Sequence, residues 1–180
     1  MCPTAATVII QVQTEIRPAR ITHRRALLRL LRTAERAHRH LDWQSAEGWL
    51  QQYRCHVAFA DSIPIGMLSI PEEPTSTAWL RLAAVRDSER DTPTMTRLWT
   101  TARTGLQQQG VRLAAALTDN VWPENLLPLW GFVQCGHVVV LRREPTAPPP
   151  ITETATQIRA ATRTDVQAIL WVDQAAFEPL

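Results

Sequence analysis

The sequence predicts an α/β (α+β) fold in which one mixed sheet is flanked by helices. Residues 8–17 alternate, with Val8, Ile10, Val12, Thr14 and Ile16 on one side, the period of a strand with one buried face. Between residues 24 and 40 the apolar positions Leu27, Leu28, Leu30, Leu31, Ala34 and Ala37 recur at three- and four-residue spacings and make one helical face. The two patterns follow one another as strand, helix, helix, three strands, helix, strand, helix, strands. That order places helices against a sheet rather than sheet against sheet. With 180 residues, 45% of them hydrophobic, one ordinary domain can bury a real core.

Each element has a local reason. The first strand runs into Arg17-Pro18, and Thr22 caps the helix expected over 24–40. On its outer face Arg25, Arg29, Arg32, Arg36 and Arg39 recur as a polar stripe. Asp42 caps a second helix over 43–52, which buries Trp43 or Trp49 together with Leu50. Residues 55–60 and 65–70 are apolar runs joined through Asp61-Ser62-Ile63-Pro64, a hairpin. A loop at 72–76 precedes a strand over 78–85. Thr92 and Pro93 supply N-cap and first-turn chemistry for a helix to about residue 109, stopped by Gly110. Residues 112–117 form a short strand, 123–130 a helix ending at Gly131, and 132–142 one or two last strands.

Composition excludes several classes. The net charge of +2 does not by itself imply nucleic acid, although all 19 basic residues are arginine. The arginine stripe lacks the interleaved aromatics of a single-strand binder and reads as a solvated face. Cys2, Cys55 and Cys135 have neither disulfide-framework nor zinc-ligand spacing, and His38 and His40 fall on different faces of the expected helix, so no metal is expected. The Val8-Ile9-Ile10 run is too short for a signal core, and no stretch reaches the ~20 apolar residues of a membrane span. The expectation is a soluble protein of a reducing cytoplasm.

Residues 144–157, with Pro145 and Pro148-Pro149-Pro150, read as a stiff linker after a domain over 1–143. Beyond it, placing Ile158 on Ile16 aligns 158–177 with 16–35. Identities fall at Ile16/Ile158, Arg17/Arg159, Ala19/Ala161, Thr22/Thr164, Ala26/Ala168, Leu28/Leu170 and Ala34/Ala176. Residues 158–180 are thus expected to open a second, truncated copy of the module. Its Ile158, Ile169, Leu170, Val172 and Phe177 would be exposed unless they dock on the first module or on another chain, as in a homodimer.

Over residues 16–143 the chain resembles the GNAT superfamily of acyl-CoA-dependent N-acetyltransferases. The resemblance is carried by Ile16-Arg17-Pro18-Ala19, by Ile65-Gly66-Met67-Leu68 after the Asp61 turn, by the strand 79–85, and by Asn120 with Gly131-Phe132 eleven and twelve residues on. It implies a mixed, mostly antiparallel central sheet flanked by helices. It also implies acetyl-CoA as cosubstrate, with strand 79–85 aligning the thioester and a glycine-rich turn cradling the pyrophosphate on a helix N-terminus. Carried onto this chain, the cofactor-binding positions are Val85, Arg90, Thr92, Thr94, Met95, Thr96 and Asn120.

Two departures bear on activity. The glycines of the phosphate turn are here Pro93 and Met95, which remove one N–H donor and add bulk, and Asp91 brings negative charge. Where the resemblance implies a tyrosine acid seven residues after Asn120 stands Leu127, and Tyr53 is the chain's one tyrosine. Asp87, Glu89 and Asp119 are base candidates that nothing separates, so the catalytic residues are unassigned. Two functions follow: acetyl transfer from acetyl-CoA to a small-molecule or peptide amine, or a catalytically inactive module with a structural, dimerisation or ligand-binding role. No membrane partner is expected, and a nucleic-acid partner has the least support.

Overall fold

The computed structural model describes residues 14–41, 45–51, 55–73, 76–88, 91–139 and 158–176. They fall into two units, Met1–Gly136 and His137–Leu180. The first contains β1 (Glu15–Pro18), α1 (Arg24–Thr33), β2 (Arg36–Arg39), α2 (Ala46–Gln51), β3 (Cys55–Ala60), β4 (Ile63–Ser69), β5 (Thr77–Trp79), β6 (Leu82–Val85), α3 (Asp91–Gln108), β7 (Leu113–Ala115) and α4 (Val121–Leu126). Five strands form an antiparallel sheet in the order β1-β3-β4-β6-β2, while β5 pairs in parallel with β7. The mixed, mostly antiparallel sheet flanked by helices is therefore the observed fold.

Alternation sorts the strands between two cores. Ala58, Leu68, Ala83 and Val85 face α3, where they meet Met95, Leu98, Trp99 and Ala102. Cys55, Val57, Phe59, Met67, Leu82 and Ala84 face the other way, onto Leu27, Leu30, Leu31 and Leu50 of α1 and α2. The β3–β4 hairpin turns on Asp61 and Ser62, at φ 49° and 66°. Two left-handed residues in a two-residue loop match the twist of the flanking strands. At Gly66, a β-carbon would stand 2.9 Å from the Thr94 methyl, so the missing side chain lets α3 lie close on β4.

Several expected boundaries move. The helix expected over 24–40 stops at Thr33, Ala34 turns extended (φ −64°, ψ 138°), and 36–39 become β2. The arginine stripe is broken accordingly: Arg25, Arg29 and Arg32 lie on α1, Arg36 and Arg39 on β2. The strand expected over 78–85 is two, β5 and β6, with Leu80 and Arg81 between them where the edge changes partner. Thr92 lies inside α3 rather than at its cap, since the helix begins at Asp91. The expected helix 123–130 is α4 followed by a 3-10 turn, Pro128–Trp130, which ends at the left-handed Gly131 (φ 87°). Residues 132–139 form no strand. The expected strand before Thr14, Asp42 and Trp43, Arg90 and Glu89, and the linker 144–157 lie outside the described residues.

In the second unit, a 3-10 turn at Arg163–Asp165 leads into α5 (Val166–Ala176). Arg159 and Thr162 both bond the Asp165 carboxylate, at 2.7 Å each, and hold its pKa well below the usual carboxylate range. This turn and helix start 142 residues after the Ile21–His23 turn and α1, the offset of the seven identities.

Candidate functional site

A fork opens where β5 becomes β6. One edge of 77–85 is lined throughout by the chain around β4: Glu72 bridges Ala78, Arg81 donates to the Ser69 carbonyl at 2.9 Å, and β6 then pairs with β4. The other edge changes partner. It pairs first with β7, up to the bond from Leu80 N–H to the Ala115 carbonyl at 2.8 Å. One residue later the Arg81 carbonyl accepts from His40 N–H at 2.9 Å, and β2 lines the edge of β6 from there to Val85. The Arg81 side chain is held beside this change of partner. Its guanidinium lies over Trp49 at 4.7 Å and Trp79 at 5.8 Å and pairs with the Glu73 carboxylate.

At the end of β6 stands the start of α3. The Asp91 carboxylate accepts from the Thr92 N–H and, at 2.9 Å, from the Thr92 hydroxyl. Its other oxygen accepts from the Trp122 indole N–H at 3.0 Å. An internal carboxylate thus sits at the positive end of the helix, where an anion is favoured. Pro93 has no N–H to offer.

The sequence-predicted positions separate on this geometry. Thr94 and Met95 are buried, 6% and 0% exposed, and belong to the core beneath α3 rather than to a ligand surface. Thr96 accepts from the Trp130 indole at 3.4 Å. Val85 is buried at the end of β6, paired with both Gly66 and Arg36. Asn120 is the first residue before α4 and donates to the Asp119 carboxylate at 3.1 Å. Among the described residues of the predicted set, Thr92 alone combines exposure with a place at the helix start. The sequence reading missed β2 and the Trp122–Asp91 bond, the second of which joins residues 31 apart with no local signal.

His38 lies in the fork, fully buried on the α3 side of β2. Burial lowers its pKa below 6.5; the Leu80 main chain and the charge of Asp119 oppose that, and His40 adds to it. His56, half-buried on β3, is lowered by burial as well. The unfolded chain therefore takes up more protons than the folded one as pH falls below about 6.5. Stability is expected to be level above neutrality and to decline as pH falls from 7 towards 5. Thermal melts across that range check this, and His38→Leu should flatten the decline; an unchanged slope would show that His38 is not the group responsible.

The resemblance read from the sequence implies acetyl-CoA, and the residues at this site do not fit it. An extended ligand carrying amides would bind the free edge of a strand. Both edges of β6 are occupied by chain, and the helix start beyond it carries a carboxylate bonded to Thr92 and Trp122. The base candidates are unresolved by the geometry: Asp119 is exposed and near enough to act electrostatically on His38, Asp87 is half-buried after β6, and Leu127 offers no acid. A cavity of about 200 Å³ lies elsewhere, against Ala102, Gly105 and Leu106 in the C-terminal half of α3 and Gln109 just after it.

No family model matches the chain, and no curated protein matches its sequence. Solved structures do match in fold. Aminoglycoside N-acetyltransferase AAC(6')-Iy in complex with CoA shares 18% identity at a TM-score of 0.57, over 76% of this chain and 99% of that one. Aminoglycoside antibiotic 6'-N-acetyltransferase AAC(6')-IG from Acinetobacter haemolyticus shares 21% at 0.53, over 72% and 98%. A ribosomal-protein-alanine N-acetyltransferase from Brucella melitensis shares 16% at 0.52, over 73% and 100%. Among the described residues no helix is long and apolar enough to cross a membrane.

Proposed function

We propose that this chain, which has the GNAT fold of these N-acetyltransferases, is an acyl-CoA-dependent N-acetyltransferase module that moves an acetyl group to an amine. The observation that supports this best is the fork: a strand that leaves its parallel partner β7 at Leu80 and continues as β6, the last strand before α3. Splayed strands beside a helix start make a slot with an amide-lined wall and a positive end, suited to a long, amide-bearing anion. The acceptor is a small-molecule or peptide amine, the class that the matched enzymes' names give for them.

A second reading is favoured by the closure of that slot. With β2 on β6 and Asp91 at the helix start, the module would be inactive and serve as a scaffold in a tandem protein. The start of the 3-10 turn and of α5 at the repeat offset supports the tandem reading, in which 158–180 opens a second copy or pairs with another chain. Calorimetry of the full chain with acetyl-CoA, and CoA release in the presence of primary amines, separate the two. Saturable binding at or below millimolar concentration with amine-dependent release is expected. No binding at millimolar acetyl-CoA would overturn the acetyltransferase reading, and micromolar binding would overturn the scaffold.

A further inference from the structure

We propose that residues 36–39 are a displaceable internal plug, which occupies in cis the strand edge that acyl-CoA needs and must leave β6 before the donor binds. This rests on the acetyltransferase reading above and adds its regulation. The first ground is position. β2 takes over the edge of 77–85 within one residue of where β7 leaves it, and follows it to Val85, next to the start of α3. It is the edge strand of the five-stranded sheet, on the side of β6 that β7 leaves.

The second ground is how weakly the sequence commits this segment to a strand. Arg36-Ala37-His38-Arg39 contains no β-branched residue, both arginines are exposed, and Ala37 is its one apolar side chain. Local pattern favours another state: Ala34 and Ala37 continue the apolar face of α1, so the freed segment can add two turns to that helix. A segment whose local preference contradicts its tertiary placement is a two-state element, held by what it packs against. The segment is held by its ladder to β6, by the fully buried His38, and by contacts at its ends. Glu35 accepts from Ser88 N–H at 3.0 Å, Arg39 donates to the Leu31 carbonyl at 3.2 Å, and His40 donates to Arg81.

The register supplies a test that fixes the plug without unfolding anything. His40 and Arg81 are a hydrogen-bonded pair, so by alternation His38/Ala83 and Arg36/Val85 are too, while Ala37/Ala84 is a non-hydrogen-bonded pair with Cα atoms about 4.5 Å apart. That spacing accepts a disulfide. In a background with Cys2→Ser and Cys135→Ser, the double variant Ala37→Cys/Ala84→Cys locks β2 onto β6 when oxidised and releases it when reduced.

Acetyl-CoA is the probe, with calorimetry as the readout. The oxidised lock is expected to bind at least tenfold more weakly than its reduced form, and His38→Pro, which removes one ladder donor, at least tenfold more tightly than the unaltered chain. In the unaltered chain, saturating acetyl-CoA should move the Cα chemical shifts of residues 36–39 from strand to helical values, a measurement that stands if His38→Pro fails to fold. Equal binding by the oxidised and reduced lock, or strand shifts retained under saturating acetyl-CoA, overturns the plug and leaves the acetyltransferase reading intact. No binding by any form at millimolar acetyl-CoA removes that reading, and the plug with it.

Discussion

Replacing Trp99 by alanine is expected to cost about 3–5 kcal/mol, the range for a buried tryptophan truncated to a methyl. Trp99 lies on the inward face of α3 at 7% exposure. It stacks on Trp130, centroids 5.6 Å apart and planes at 14°, and meets Phe132 at 5.2 Å with planes tilted by 51°. The cost has two parts. The indole leaves a cavity between α3 and the sheet, and the 3-10 turn Pro128–Trp130 loses the surface that seats it. Thr96 then keeps its bond to Trp130 only if that turn stays in place. With a domain stability of about 5–15 kcal/mol, such a loss would lower the melting temperature by roughly 10–20 °C. Trp99→Phe keeps an aromatic against Trp130 and should lose markedly less. Urea denaturation of both variants checks this. A cost below about 1 kcal/mol for the alanine would show that the aromatic cluster does not hold the turn to α3.

The fold was legible where local chemistry and tertiary placement agree. Asp61-Ser62 between two apolar runs announced the β3–β4 hairpin, and the structure turns on those two residues. Gly110 marked the end of α3, and its φ of 79° is the reason. The reading went wrong where placement overrides pattern. Residues 36–39 continue the apolar period of α1, and the edge of β6, 43 residues or more away in sequence, makes them a strand. The run 78–85 is apolar enough to pass for one strand, because the exchange of β7 for β2 along its edge leaves no mark on its own residues. At the site, motif spacing placed the backbone near the right helix start but could not give the helical phase. That phase puts Thr94, Met95, Leu98, Trp99, Ala102 and Leu106 on one buried face, and it moved two candidate ligand residues into the core.

Met95 shows what that phase means for the function. The resemblance sets a glycine of a phosphate turn at this position, so Met95→Gly would restore that pattern. The structure argues that this repair fails. Met95 is fully buried beneath α3 among residues such as Leu68, Val85 and Leu98, so its side chain adds no bulk at the helix start. Truncation there costs about 2–5 kcal/mol for the lost methionine, and glycine in a helix interior adds about 1 kcal/mol over alanine. Met95→Gly is therefore expected to lose about 3–6 kcal/mol, enough to leave much of the chain unfolded near body temperature, with no gain in acetyl-CoA affinity. Met95→Leu, of similar volume, should cost less than about 1.5 kcal/mol and leave binding unchanged. Chemical denaturation and acetyl-CoA calorimetry on both variants decide it. A folded Met95→Gly that binds acetyl-CoA more tightly would place the side chain at the ligand after all. What blocks the helix start is instead Asp91, held by Thr92 and Trp122, and what blocks the strand is β2. The Asp91 carboxylate lies at the helix start itself, whereas the Met95 side chain belongs to the core that the fold needs to exist.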